Sequence, residues 1–73
     1  MKNEAMCEVL VTTKEWIEDQ EERIREHEQQ MYGEMRRYSD AWFGAVPELD
    51  DKKDFLRVLH DRLRWAEEAL GII

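Results

Sequence analysis

The sequence predicts an all-α fold, in which a long helix and a shorter antiparallel helix form a helical hairpin or a three-helix unit. One observation is an apolar repeat at strict seven-residue intervals, which holds one stripe of a helix against a partner. Another is a second group of apolar residues at three- and four-residue spacing near the end of the chain. The repeat consists of Leu10, Ile17, Ile24, Met31 and Tyr38.

The length predicts a single small helical domain over residues 1–73. A chain of this size buries only about 60% of its unfolded surface, so its stability alone is marginal. Small domains usually add disulfides, a metal ion or a second subunit. Cys7 is the only cysteine, which excludes a disulfide within the chain. Tight helix packing or oligomerisation is therefore expected.

The net charge of −7 indicates the class of partner. It argues against direct binding to nucleic acid or to a membrane, because both favour basic protein surfaces. It suits a protein with a basic surface, although negative charge also serves solubility alone. Glu4 and Glu8 interrupt any signal-peptide core, and a free cysteine is typical of a reducing compartment. We expect a cytoplasmic protein, in the host cytoplasm if it is phage-encoded.

The first helix is predicted over residues 13–38. Thr12 and Glu15 have the spacing of a capping box, and Val11 and Trp16 that of a hydrophobic staple. Residues 1–11 fit a short helix or a strand equally well. A continuous helix from residue 4 is the alternative, because the seven-residue repeat already includes Leu10.

The second helix is predicted over residues 51–70, after a connection over residues 39–50. Gly44 and Pro47 interrupt the helical pattern in that connection. Asp50 or Asp51 can cap the second helix, and Gly71 is a natural left-handed stop.

The second helix carries more apolar surface than one neighbour covers. One stripe is Leu56, Leu59, Leu63, Ala66 and Leu70, and the adjacent one is Phe55, Val58, Trp65 and Ala69. Because packing against one helix needs an arc of only about 100°, we expect two neighbours. A homodimer with a four-helix-type bundle provides them, with the seven-residue repeat as dimer or core seam. A monomeric three-helix fold is the alternative.

A cluster of carboxylates in the first helix is the main candidate for partner binding. It is called the acidic run here and consists of Glu15, Glu18, Asp19, Glu21 and Glu22. Like charges at helical spacing repel, which is consistent with a docking surface for basic groups. Alternatively, the run is a solvated face neutralised by a basic stripe of the second helix, made of Lys53, Arg57, His60 and Arg64.

Two adjacent aromatic residues in the connection, Trp42 and Phe43, are the second candidate. They suit a recognition hot spot, or alternatively a plug that closes one end of the hairpin.

No pattern indicates catalysis, a cofactor or a metal site. A helical Glu-x-x-His motif would need glutamate where the chain has Ile24 and Arg57. His27 is expected on the seam as a satisfied polar residue. Adjacent glutamates point in different directions, and Cys7 lacks a basic neighbour closer than Lys2. Phosphate-binding loops and nucleophile motifs are absent from the sequence.

The sequence therefore predicts a small, acidic, non-enzymatic protein-binding module. In size and charge it resembles, in general character, phage-encoded inhibitors of host nucleases or CRISPR effectors. That resemblance implies an anti-CRISPR-like or nucleic-acid-mimicking inhibitor that occupies a basic or nucleic-acid-binding surface of a larger protein. The alternative is a structural oligomerisation subunit of a larger assembly.

Overall fold

The protein is a hairpin of two helices of nearly equal length. The computed structural model describes the backbone of residues 2–72 and the side chains of residues 4–72. Helix α1 spans Lys2–Glu34 and helix α2 spans Asp40–Leu70. The hairpin extends over 52 × 16 × 14 Å, so it is a rod about three times as long as it is wide. The predicted all-α helical hairpin is confirmed.

The side of α1 that packs against α2 follows the predicted seven-residue repeat from Leu10 to Met31. Ile17, Ile24 and Met31 are buried, and Leu10 is half-buried. A second, parallel row of polar residues is buried beside them, consisting of Thr13, Gln20 and His27. The α1 half of the seam is thus apolar in one row and polar in the other.

The side of α2 that packs against α1 repeats at alternating three- and four-residue intervals. This spacing keeps one stripe of a helix facing one partner along its whole length. The stripe is Trp42, Ala45, Leu49, Lys52, Leu56, Leu59, Leu63, Ala66 and Leu70, all buried or half-buried. Near the loop, its first members join α1 in one cluster of Ile24, Met31, Trp42, Ala45 and Leu49. Two matched stripes, joined by a short loop, produce the antiparallel hairpin.

The structure corrects the predicted bounds of the first helix. The helix begins by Lys2 and runs through Thr12, so the predicted helix start near Thr13 is wrong and the alternative, a continuous helix that includes Leu10, is confirmed. The strand considered for residues 1–11 is excluded over the described residues from Lys2 onward. Thr13 is completely buried, and its hydroxyl donates to the Val9 carbonyl at 2.6 Å, inside the helix. Because the seam extends toward the N-terminus through half-buried Val9 and Leu10, packing keeps this segment helical.

Tyr38 was expected on the seam, and the structure places it in the loop. The helix ends at Glu34, and Tyr38 is 70% exposed with a left-handed φ of 63°. A non-glycine residue with positive φ is uncommon outside turns. The chain reverses here before the repeat reaches Tyr38, whose ring lies 6.0 Å from that of Phe43. The seven-residue repeat therefore ends at Met31.

The predicted connection over residues 39–50 is also wrong, because Asp40–Leu70 is one helix. Ser39 caps it: its hydroxyl accepts a hydrogen bond from the Trp42 amide at 3.2 Å. Pro47 lies inside the helix and has no amide hydrogen to donate to the preceding turn. Burial of Trp42, Ala45 and Leu49 against α1 offsets that loss.

The predicted left-handed stop at Gly71 is present, with a φ of 76°. The Gly71 amide donates to the Glu68 carbonyl, and the Ile72 amide donates to the Glu67 carbonyl at 3.0 Å. These two bonds satisfy carbonyls that the end of α2 leaves without helical partners.

Pro47→Ala distinguishes a helix from a connection over residues 39–50. In the helix, alanine restores a backbone hydrogen bond, and we expect the free energy of unfolding to rise by about 1–3 kcal/mol. In a connection, losing proline would lower stability by up to about 1 kcal/mol, because the unfolded chain gains freedom. Urea denaturation monitored by circular dichroism measures the sign.

Gly44→Ala is the companion variant. A Cβ atom added at Gly44 meets nothing within 4 Å, so the only change is in helix propensity. We expect a gain of about 1 kcal/mol. Destabilisation by both variants would contradict the helical assignment.

Candidate binding surfaces

The acidic run lies mainly on the exposed side of α1. Glu15, Glu18, Asp19 and Glu22 are exposed, and Glu21 is half-buried. Among the described residues, Asp19 alone of the five forms an ion pair, with Arg23 of the same helix at 3.0 Å. The run therefore remains a largely uncompensated concentration of negative charge.

The basic stripe of α2 does not neutralise the acidic run. Arg57 pairs with Asp54 at 3.7 Å, and Arg64 pairs with Glu68 at 3.2 Å, both within α2. Such exposed pairs within one helix contribute only a few tenths of a kcal/mol. Over the part of the chain that the structure describes, no ion pair within 4 Å joins the run to α2.

The two aromatic residues proposed as a hot spot occupy different environments. Trp42 is buried in the core, and Tyr32 packs on it edge to face with ring centroids 5.0 Å apart. The Arg37 guanidinium lies 5.8 Å from the centre of the Trp42 ring. Phe43 is exposed. Trp42 thus closes the loop end of the hairpin, and only Phe43 is open to a partner.

A polar layer crosses the seam near its middle, and it includes His27, which was expected there. The Gln20 side-chain amide donates to the Lys52 carbonyl at 3.0 Å, and His27 Nε2 lies 3.1 Å from the Ala45 carbonyl. The Lys52 ammonium lies 2.9 Å from His27 Nδ1. Lys52 could have indicated this layer from the sequence, because it is a charged residue at a seam position in the repeat of α2.

The contacts of His27 determine which ring nitrogen carries the proton. A lysine ammonium can only donate, so His27 Nδ1 must accept its hydrogen bond. The neutral ring then carries its hydrogen on Nε2, which donates to the Ala45 carbonyl. His27 is thereby the satisfied polar seam residue that was expected. The hydrogen bonds of this layer join α1 to α2, so its role is to stabilise the packing of the two helices.

A second apolar surface, called the apolar face here, lies beside the seam. It consists of Trp16, Phe55, Val58 and Trp65, all about half exposed. The Arg62 guanidinium lies over the Trp16 ring, 5.3 Å from its centre, and so joins α2 to α1 on this face. Trp16 and Phe55 flank a groove of about 260 Å³ that Asp19, Gln20 and Arg23 also line.

Other kinds of site have no support in the described residues. Within that range, no group of three or more His, Cys, Asp or Glu residues is placed to hold a metal ion. Neither described helix is long and apolar enough to cross a membrane. Cys7 is an exposed free thiol.

Comparison with protein-family models, curated proteins and solved structures found no match to this chain.

The polar layer generates a prediction about coupled residues. His27→Leu alone leaves Lys52 without its partner, and Lys52→Leu alone leaves His27 Nδ1 unpaired. We expect each change to lower the free energy of unfolding by about 1–3 kcal/mol. The double variant extends the apolar seam and is expected to be at least as stable as the parent. A double-mutant cycle by urea denaturation, at one low protein concentration, measures the coupling.

Lys53→Leu is the matched control, because Lys53 is the exposed neighbour of Lys52. We expect its effect to stay within about 0.5 kcal/mol. Additive effects of the two single changes at the seam would show that Lys52 and His27 are not coupled.

Proposed function

We propose that this chain is a non-enzymatic protein-binding module that docks its acidic run on a basic surface of a larger protein. The observation that carries the proposal is that the described residues leave most of the run without an ion-pair partner. Within the part of the chain that the structure describes, Asp19 alone of the five carboxylates has an ion-pair partner, and Arg57 and Arg64 pair within α2. The uncompensated charge is therefore available to an external cation.

The density of this charge is similar to that of a nucleic acid. The run places five carboxylates within the eight residues from Glu15 to Glu22. At 1.5 Å per residue, the four carboxylates that remain when Asp19 pairs with Arg23 correspond to about one charge per 3 Å of helix axis. Single-stranded DNA carries about one per 3.4 Å and the duplex about one per 1.7 Å. A protein surface shaped for phosphates would therefore find a comparable field along α1.

The shape of the hairpin suits an inhibitor that acts by covering a surface of its partner. Two long helices present an elongated surface, and preformed surfaces commonly bind with little movement of the backbone. Electrostatic complementarity of this kind accelerates association and selects basic partners. The module would work as an inhibitor in the cytoplasm, by covering a surface on which its partner normally binds nucleic acid.

A structural role is the second candidate. The observation that favours it is the apolar face, because four large side chains of a small protein are left about half exposed on one side. In this role, copies of the chain join into a four-helix-type bundle, alone or within a larger assembly.

The docking proposal is tested with the triple variant Glu18→Gln, Asp19→Asn and Glu22→Gln. Proteins captured from a cell lysate on the immobilised parent chain are identified, and the affinity of each purified partner is measured between low and high salt. We expect the variant to bind at least tenfold more weakly, with a shallower salt dependence.

The control is a second triple variant with the same change in net charge on α2, Glu48→Gln, Asp50→Asn and Asp51→Asn. All three of these residues are exposed. We expect it to bind nearly as well as the parent chain. Equal binding by all three proteins would remove the acidic run as the docking surface, and equal weakening by both variants would leave only net charge as the cause.

A further inference from the structure

The part of the apolar face on α2 belongs to a separate repeat that the hairpin does not bury. Phe55 and Arg62 are seven residues apart, as are Val58 and Trp65, so these four residues of α2 form a stripe that extends from the flank of the seam toward the outer side of the helix. Val58 is 59% exposed and Trp65 is 57% exposed. Trp16 extends this stripe onto α1, held by its contact with Arg62. The stripe has the spacing of a helix–helix contact, and within the described residues no helix packs against it.

We propose that a second copy of this chain covers the apolar face, so that two hairpins form a four-helix bundle. This inference rests on the structural candidate above and is independent of docking through the acidic run. It also relocates the predicted dimer contact. The repeat from Leu10 to Met31 is occupied by α2 of the same chain, so the dimer must use the neighbouring stripe.

The exposed area of the single chain supports this inference. Its accessible surface is 5772 Å² for a mass of 8.9 kDa. A compact monomer of that mass exposes about 4800 Å², so the hairpin exposes roughly 1000 Å² more. A stable interface buries about 800 Å² of each partner. The radius of gyration is 16.2 Å. Compact chains of this length have about 11 Å.

The chemistry of the face favours a second copy over an unrelated partner. A two-fold interface brings the same surface together twice, so the surface must be complementary to itself. An apolar face meets this condition, whereas the acidic run does not, because its carboxylates would repel their own copies. The cation within the face, Arg62, is already stacked on Trp16 of its own chain.

The face also has a protrusion and a recess in positions that a two-fold axis can pair. Exposed Trp65 lies ten residues, or about 15 Å, along α2 from Phe55, which flanks the 260 Å³ groove. A two-fold axis midway between them, beside Val58 and Arg62, places Trp65 of each copy over the groove of the other. In such a dimer, Trp65 of each copy fills the groove beside Phe55 of the other copy.

Sedimentation equilibrium of the purified chain, without any partner, tests the inference between about 1 and about 200 μM. We expect the parent chain to reach the mass of a dimer in this range. Val58→Asp and, separately, Trp65→Gln are expected to sediment as monomers while retaining their helical circular dichroism. Two variants are used so that, if one fails to fold, the other still shows whether the apolar face forms the dimer contact.

Val11→Asp is the matched control. Val11 is also about half exposed, but it lies roughly 140° around α1 from Trp16. We expect this variant to dimerise like the parent chain. A parent chain that is monomeric at about 200 μM would overturn the proposal. So would a dimer that persists in both face variants, or one that Val11→Asp also dissociates. Because no partner is present, such failures leave the docking proposal standing.

Discussion

The structure depends on a single contact, the seam between two helices. Every buried side chain of the described residues lies on α1 or α2 along this line, because these residues form no third element to pack against. The apolar spacing of both helices is compatible with that demand, since a stripe repeating every seven residues can face one partner over its full length. The elongated shape, the large exposed area and the separation of the outer surfaces follow from this constraint.

The sequence was most informative where the seam is regular. The repeat from Leu10 to Met31 and the leucine stripe of α2 predicted the hairpin, because both patterns report directly on burial. The sequence was least informative about where each helix begins and ends. Pro47 and Thr12 resemble helix boundaries, yet both lie inside helices, since long apolar stripes on either side outweigh one unfavourable residue. Ser39 followed by acidic Asp40 was the true start signal. The partner and the oligomeric state depend on surfaces that no internal contact tests, so the sequence left them as predictions.

The two candidate binding surfaces differ in what they can attract. The acidic run projects from the outer side of α1, and it reaches the groove of the apolar face only at Asp19, which Arg23 already neutralises. A hairpin can therefore pair with its own copy through one surface while it presents the other. In such a dimer the acidic runs would occur twice, which would double the number of docking surfaces per particle and raise avidity for a partner with repeated basic sites.

The hairpin topology also has a kinetic consequence. The contacts of the polar layer span 18, 25 and 32 residues of chain, increasing with distance from the loop. The entropic cost of closing a loop grows only slowly with its length. The two helices can therefore pack together starting at the loop, and each contact that forms brings the next pair of residues close together. Low contact order of this kind is typical of rapid folding. Trp42, Ala45 and Leu49 would form first, the contact of Trp16 with Arg62 later, and the ends of the seam near Leu10 and Leu70 last. Pairing with another chain would thus begin only when the hairpin is nearly closed.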